Sequence, residues 1–204
     1  MRRYFVGLDL GQAQNYTALV VLERDAPGPL ATYALRHAER VRGISYLDIV
    51  EHVRGLLLRP PLAGSSVLAV DATGVGAAVT DLFRRADLGS ELVPVTIHGG
   101  DRVTRDGDLY RVPKRNLAAV VAVLLQGGRL RIASSLPLAP VLTEELRSFR
   151  VTINPATAHE SYAAWREADH DDLVLAVALA AWTAEAPRPG AGWLELAGEI
   201  RSRR

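Results

Sequence analysis

Two apolar, β-branched runs, Tyr4 to Leu10 (YFVGLDL) and Thr17 to Leu22 (TALVVL), stand only six residues apart. A parallel pair needs a crossover of a dozen or more residues, so this spacing permits only an antiparallel hairpin. Further on, Val67 to Val70 ends on Asp71, a helical stretch runs to about Arg85, and Leu92 to Ile97 reads as another strand. Strand, helix, strand is how a parallel pair is built. The expected architecture is therefore α/β, a mixed sheet whose first strands are antiparallel and whose later strands are parallel, flanked by helices.

The remaining segments fit that frame. Ala31 to Arg36 reads as a third strand, and Tyr46 to Leu58 as a helix with Leu47, Val50, Val53 and Leu57 on one face, stopped by Pro60-Pro61. Asp106-Gly107 sits between short alternating segments, the mark of a small projecting hairpin. Pro113 is placed to open a helix through Leu125, which Gly127-Gly128 ends. A short strand at Leu130 to Ile132 and a helix from Leu138 to Phe149 follow. The last helix, Leu173 to Trp182, is apolar all round and so expected to be buried. At 204 residues one domain suffices, assigned to 1–186, with a loosely ordered basic tail rich in Pro and Gly over 187–204.

Composition narrows the chemistry more than the partner. The chain has no cysteine, which excludes disulfides and thiolate metal sites and leaves carboxylate or imidazole ligands. No apolar run is long enough to span a bilayer and no signal peptide opens the chain, so the expectation is a cytoplasmic protein without membrane contact. A formal net charge of +1 says little about nucleic acid. The distribution says more, because Arg102, Arg105, Arg111, Lys114, Arg115, Arg129 and Arg131 fall within thirty residues and Arg201, Arg203 and Arg204 close the chain. A solvated face explains such clusters equally well.

Four aspartates stand where aspartate is out of place or in excess. Asp9 lies between Leu8 and Leu10 in an apolar strand, where a buried, unpaired carboxylate costs several kcal/mol. Asp71 ends a buried strand, the position beyond which ligands bind in open α/β sheets, although a turn-forming role before Thr73-Gly74 accounts for it as well. Asp171 and Asp172 open the apolar last helix; one is explained as an N-cap, but two, with His170 before them, exceed what a cap requires. If the last helix crosses the sheet, these carboxylates converge, and like charges stay ionised together only when a cation neutralises them. Oxygen ligands without sulfur suit magnesium or manganese, and a pair of such ions suits phosphodiester hydrolysis without a covalent protein intermediate.

The segments Gly-Leu-Asp9-Leu-Gly, Val-Asp71-Ala-Thr-Gly-Val-Gly, Val-Pro-Lys114-Arg-Asn-Leu and His170-Asp171-Asp172-Leu-Val-Leu-Ala, in that order, resemble the C-terminal nuclease domain of tailed-phage terminase large subunits. The resemblance runs from about Tyr4 to Trp182. It implies a ribonuclease H-like fold and cutting of double-stranded DNA during genome packaging with two divalent cations, Mg2+ or Mn2+. By position it implies Asp9, Asp71 and Asp172 as the metal-binding, catalytic triad, with Asp171 an additional or alternative ligand. It also places Arg105 and Arg111 on a hairpin beside the active site, with Lys114 and Arg115 near, as DNA contacts. His170, Thr73 and Gly74 are auxiliary candidates, the last two through the turn that holds Asp71. Lys114 on an exposed first turn and His170 as a cap are the plainer readings of those residues.

No Gly-x-x-x-x-Gly-Lys-Ser/Thr loop occurs, whereas terminase large subunits carry an ATPase before the nuclease. The expectation is therefore an excised domain or a nuclease-only protein, acting in the host cytoplasm if phage-encoded. Its implied partners are double-stranded DNA, a separate packaging ATPase, a small terminase and portal proteins. Two rival readings use the same residues. Another ribonuclease H-like nuclease, a Holliday-junction resolvase or RNA–DNA hybrid nuclease, would share the carboxylates. An actin- or sugar-kinase-type nucleotide-binding domain also opens with strand, Asp and Gly, but needs two domains and leaves Asp171-Asp172 unexplained.

Overall fold

The computed structural model describes residues 3–11, 15–26, 30–73, 76–152 and 171–186. The elements are β1 (Arg3–Asp9), β2 (Thr17–Asp25), β3 (Thr32–Val41), α1 (Tyr46–Leu57), β4 (Ser66–Asp71), α2 (Gly76–Arg85), β5 (Glu91–His98), β6 (Thr104–Asp106), β7 (Leu109–Pro113), α3 (Lys114–Gln126), β8 (Leu130–Ile132), α4 (Ala139–Thr152) and α5 (Asp172–Glu185). They form one eight-stranded sheet in the order β6-β7-β5-β4-β1-β2-β3-β8. β1, β2 and β3 pair antiparallel, while β1–β4, β4–β5 and β5–β7 pair parallel. This is the mixed sheet, antiparallel in its first strands and parallel in its later ones, that the sequence implies.

Alternation along the central strands sorts two cores. Tyr4, Val6 and Leu8 of β1 and Leu68 and Val70 of β4 pack with Ile49, Val50, Val53 and Leu57 of α1 and with Val79 and Phe83 of α2. Phe5, Val67 and Ala69 point the other way and pack with α3, α4 and α5. α5 lies between the sheet and the outer helices α3 and α4, which is why it is apolar all round. Its backbone touches β1 directly at Gly7: a Cβ there would lie 1.9 Å from the carbonyl oxygen of Ala176. Only a residue without a side chain permits that approach.

Two elements differ from the sequence reading. β3 continues five residues past Arg36, to Val41, and a register shift opposite Val21/Leu22 breaks the alternation that would have announced it. The Asp106-Gly107 hairpin forms, with Gly107 at φ 62°, but β7 is also a full member of the sheet beside β5. The proposed tail, 187–204, lies outside the described residues, as do Gly74 and His170.

Candidate metal centre

Asp9 is the last residue of β1 and Asp71 the last of β4. The two strands run parallel in the register Leu8↔Val70, which makes Asp9 and Asp71 neighbours at the carboxyl edge of the sheet. By alternation from Phe5 and Gly7, and from Val67 and Ala69, both belong to the face covered by α5. Asp9 also pairs with Ala18 of β2, and Ala18 with Arg40 of β3. Asp71, Asp9, Ala18 and Arg40 thus form one row across four strands, all on that face.

α5 supplies the third carboxylate. Its contact with Gly7 fixes Ala176 over β1, and Asp172 lies one helical turn before Ala176, toward the edge where Asp9 ends. Asp172 is buried at 8% exposure, and its Oδ1 takes a short hydrogen bond from Nη2 of Arg40. The Arg40 Nη1 lies 3.5 Å from Oε1 of Glu145 on α4, and Glu145 Oε2 accepts from the backbone N–H of Val174 at 3.0 Å. Asp171 occupies the N-cap position of α5 but makes no side-chain capping bond. The cap is supplied from another helix, by Glu145, so the helix-capping explanation of the Asp171-Asp172 pair fails.

The electrostatics follow from burial. Glu145 has its carboxyl pushed up to about 7, chiefly by desolvation, with the negative charges of Asp172 and Asp171 adding and the Val174 N–H and Arg40 opposing. Asp71 is held by its own turn: Oδ1 accepts from the backbone N–H of Thr73 at 2.8 Å and from the Thr73 hydroxyl. The same hydroxyl oxygen accepts from the N–H of Ile97 at 2.8 Å, which ties the turn to β5. Thr73 therefore shapes the Asp71 turn, as its position suggests.

The donor set suits a hard divalent cation. All of it is carboxylate oxygen, and Oδ2 of Asp172 is buried with no hydrogen-bond partner among the described residues. The same geometry sets a limit: among the described residues no three Asp, Glu or His side chains already stand together as a cation cage. Asp9 and Asp71 share the edge while Asp172 is held by Arg40, so enclosing an ion requires side-chain movement.

The basic candidates fare unequally. Arg105 is exposed on β6, with Nε donating to the Gly107 carbonyl at 2.8 Å and its guanidinium 5.0 Å from the Tyr110 ring centroid. Arg111 is exposed on β7. Arg115 is spent on Asp101, at 2.6 Å from its carboxylate. Lys114 is buried, contrary to the solvated reading, because α3 starts directly at the end of β7 and its first turn packs into the domain.

Arg40, Glu145 and Tyr16 were not singled out by sequence. The Tyr16 ring lies beneath two guanidiniums, Arg40 at 4.5 Å and Arg42 at 5.1 Å. Tyr16 is brought there by the β1–β2 turn, where Gly11 N–H donates to the Thr17 hydroxyl at 3.1 Å. A Cβ on Gly11 would lie 2.3 Å from the Tyr16 carbonyl oxygen.

Comparison with known proteins gives one consistent direction. No family model matches the chain. The large terminase subunits of Thermus phage G20c and Thermus virus P23-45 are each 25% identical to it over 177 residues, which is 87% of this chain. The chain spans 31% of the length of those relatives. Its fold is similar to that of the large terminase nuclease from thermophilic phage G20c, with a TM-score of 0.56 and 20% identity over 89% of this chain and 82% of that one.

Proposed function

We propose, for a chain homologous to phage large terminase subunits over a stretch with a terminase-nuclease fold, that it is a metal-dependent endonuclease hydrolysing double-stranded DNA. The observation that carries this reading is the edge arrangement: Asp9 and Asp71 adjacent on β1 and β4, with Asp172 brought to the same edge and face by α5. Asp71 and Asp172 are buried at this edge, and Asp172 keeps one carboxylate oxygen, Oδ2, without a hydrogen-bond partner among the described residues, which suits a hard cation.

Asp9, Asp71 and Asp172, with Asp171, would hold two divalent cations, Mg2+ or Mn2+. Such ions, when bound, activate the attacking water and stabilise the leaving oxygen. The chain's own contribution is placement. Thr73 fixes Asp71, the Gly7 contact sets the depth of α5, and Glu145 caps α5 so that Asp171 and Asp172 are not consumed as caps. Arg105 and Arg111 would meet the phosphate backbone, with little sequence preference, because backbone contacts carry no base information. In this account the partners are duplex DNA, a packaging ATPase, a small terminase and a portal protein.

Substrate choice tests the reading. Plasmid, a four-way junction and an RNA–DNA hybrid are offered in parallel with Mn2+. The expected outcome is cleavage of plasmid and linear duplex; cutting confined to junction or hybrid would replace the terminase-like assignment with one of those activities.

A further inference from the structure

Arg42 follows the last residue of β3, at the same edge of the sheet as the carboxylates, since β3 runs parallel to β1 through their shared partner β2. It is exposed, and among the described residues it has no carboxylate partner. That sets it apart from Arg54, Arg84, Arg115 and Arg147, each neutralised by an acidic neighbour. Its guanidinium instead lies over the Tyr16 ring at 5.1 Å, and the ring is itself braced by Arg40 at 4.5 Å. Arg40 is engaged with Asp172 and Glu145, whereas Arg42 has no acidic partner among the described residues.

We propose that Arg42, seated on Tyr16, is a phosphate-binding contact for duplex DNA on the β3 side of the carboxylates. The inference rests on the DNA-cleaving reading and extends it to a surface that the hairpin does not reach. A guanidinium presents a planar fork suited to phosphodiester oxygens, and an aromatic ring beneath it holds the plane in advance of binding. β3 is two strands from β1, so Arg42 stands roughly 10 Å from Asp9 along the edge. That distance corresponds to a phosphate about three base pairs from the one being cut. On the opposite flank Arg105 over Tyr110, at 5.0 Å, repeats the same pairing of guanidinium and ring. A duplex laid across the edge therefore meets an aromatic-backed arginine on each side of the carboxylates.

The test is fluorescence anisotropy of a labelled mixed-sequence DNA duplex, in chelator to prevent cleavage, over a range of salt concentrations. Arg42→Ala is expected to weaken binding about five- to tenfold and to lower the salt slope by about one, the signature of one lost phosphate contact. Arg42→Lys should keep the slope, and Tyr16→Leu should keep it while weakening binding about two- to fourfold. Arg59→Ala, an exposed arginine in the loop leading to the start of β4 and so at the opposite edge, should match wild type. Wild-type affinity and slope in Arg42→Ala, or equal losses in Arg42→Ala and Arg59→Ala, would overturn the inference alone. Wild-type affinity in Tyr16→Leu would overturn the platform. Failure of the wild-type protein to bind duplex at low salt would overturn both the inference and the DNA reading beneath it.

Discussion

Glu145 on α4 caps α5 from outside: its Oε2 accepts the backbone N–H of Val174 at 3.0 Å while Asp171, at the N-cap position, makes no side-chain capping bond. Glu145→Ala removes that cap and leaves a buried N–H unsatisfied. The expected loss is about 2 kcal/mol of unfolding free energy, with Glu145→Gln, which retains an acceptor oxygen, losing less. Urea denaturation of the two variants beside wild type checks the ranking.

The same carboxyl gives a pH dependence. Its folded value is raised from 4.5 to about 7 by burial and by the neighbouring acids. An acid raised in the folded state favours folding while protonated, so its contribution is complete below about pH 4.5 and is lost as pH climbs through about 7. The stability difference between wild type and Glu145→Gln should therefore shift against wild type across that window, by at most about 1.4 kcal/mol per pH unit. Denaturation in chelator at several pH values measures it, and a difference independent of pH would contradict the assignment.

Arg40 is the cation of a buried cluster with Asp172 and Glu145. Replacing it with Met leaves acidic neighbours without a counter-charge and should cost about 3 to 5 kcal/mol. Arg40→Lys should recover part of this, because it restores the charge without the planar fork. Equal stability of Arg40→Met and wild type would show the cluster to be immaterial.

The depth of α5 depends on Gly7. Gly7→Ala places a Cβ 1.9 Å from the Ala176 carbonyl oxygen, backbone that cannot give way without moving the helix. A loss of at least about 3 kcal/mol, or failure to fold, is expected. Gly55→Ala provides the contrast: in α1, with nothing within 4 Å of the added Cβ, it should stabilise by about 0.5 to 1 kcal/mol. Thermal melts of the two variants should move in opposite directions.

Much of this was legible in the sequence, for identifiable reasons. Short spacing forced the β1–β2 hairpin, the strand–helix–strand pattern forced β4 and β5 parallel, and the uniformly apolar α5 announced its burial. Asp9 and Asp71 were visible because carboxylates are conspicuous at the ends of buried strands. Arg40 was hidden by the register shift that breaks alternation in β3 and makes its second half look like a polar loop. Glu145 was hidden among ordinary helix-surface acids, since only the approach of α4 to the first turn of α5 gives it a task. Lys114 misled in the other direction: a lysine opening a helix is usually solvated, and here the abutment of α3 on β7 buries it. These three depend on contacts between distant segments, which local pattern does not encode.

If Asp71 belongs to a cation-dependent phosphodiesterase site, its carboxylate is required for metal-dependent cutting. The most direct measurement is nicking of supercoiled plasmid by wild type and Asp71→Asn, with Mn2+ and with chelator, beside an unrelated active nuclease. Wild type is expected to nick with Mn2+ and not in chelator, with at least about a 100-fold loss in Asp71→Asn despite an unchanged fold. Intact plasmid with wild type while the control nuclease cuts, or equal cutting by Asp71→Asn, would contradict it.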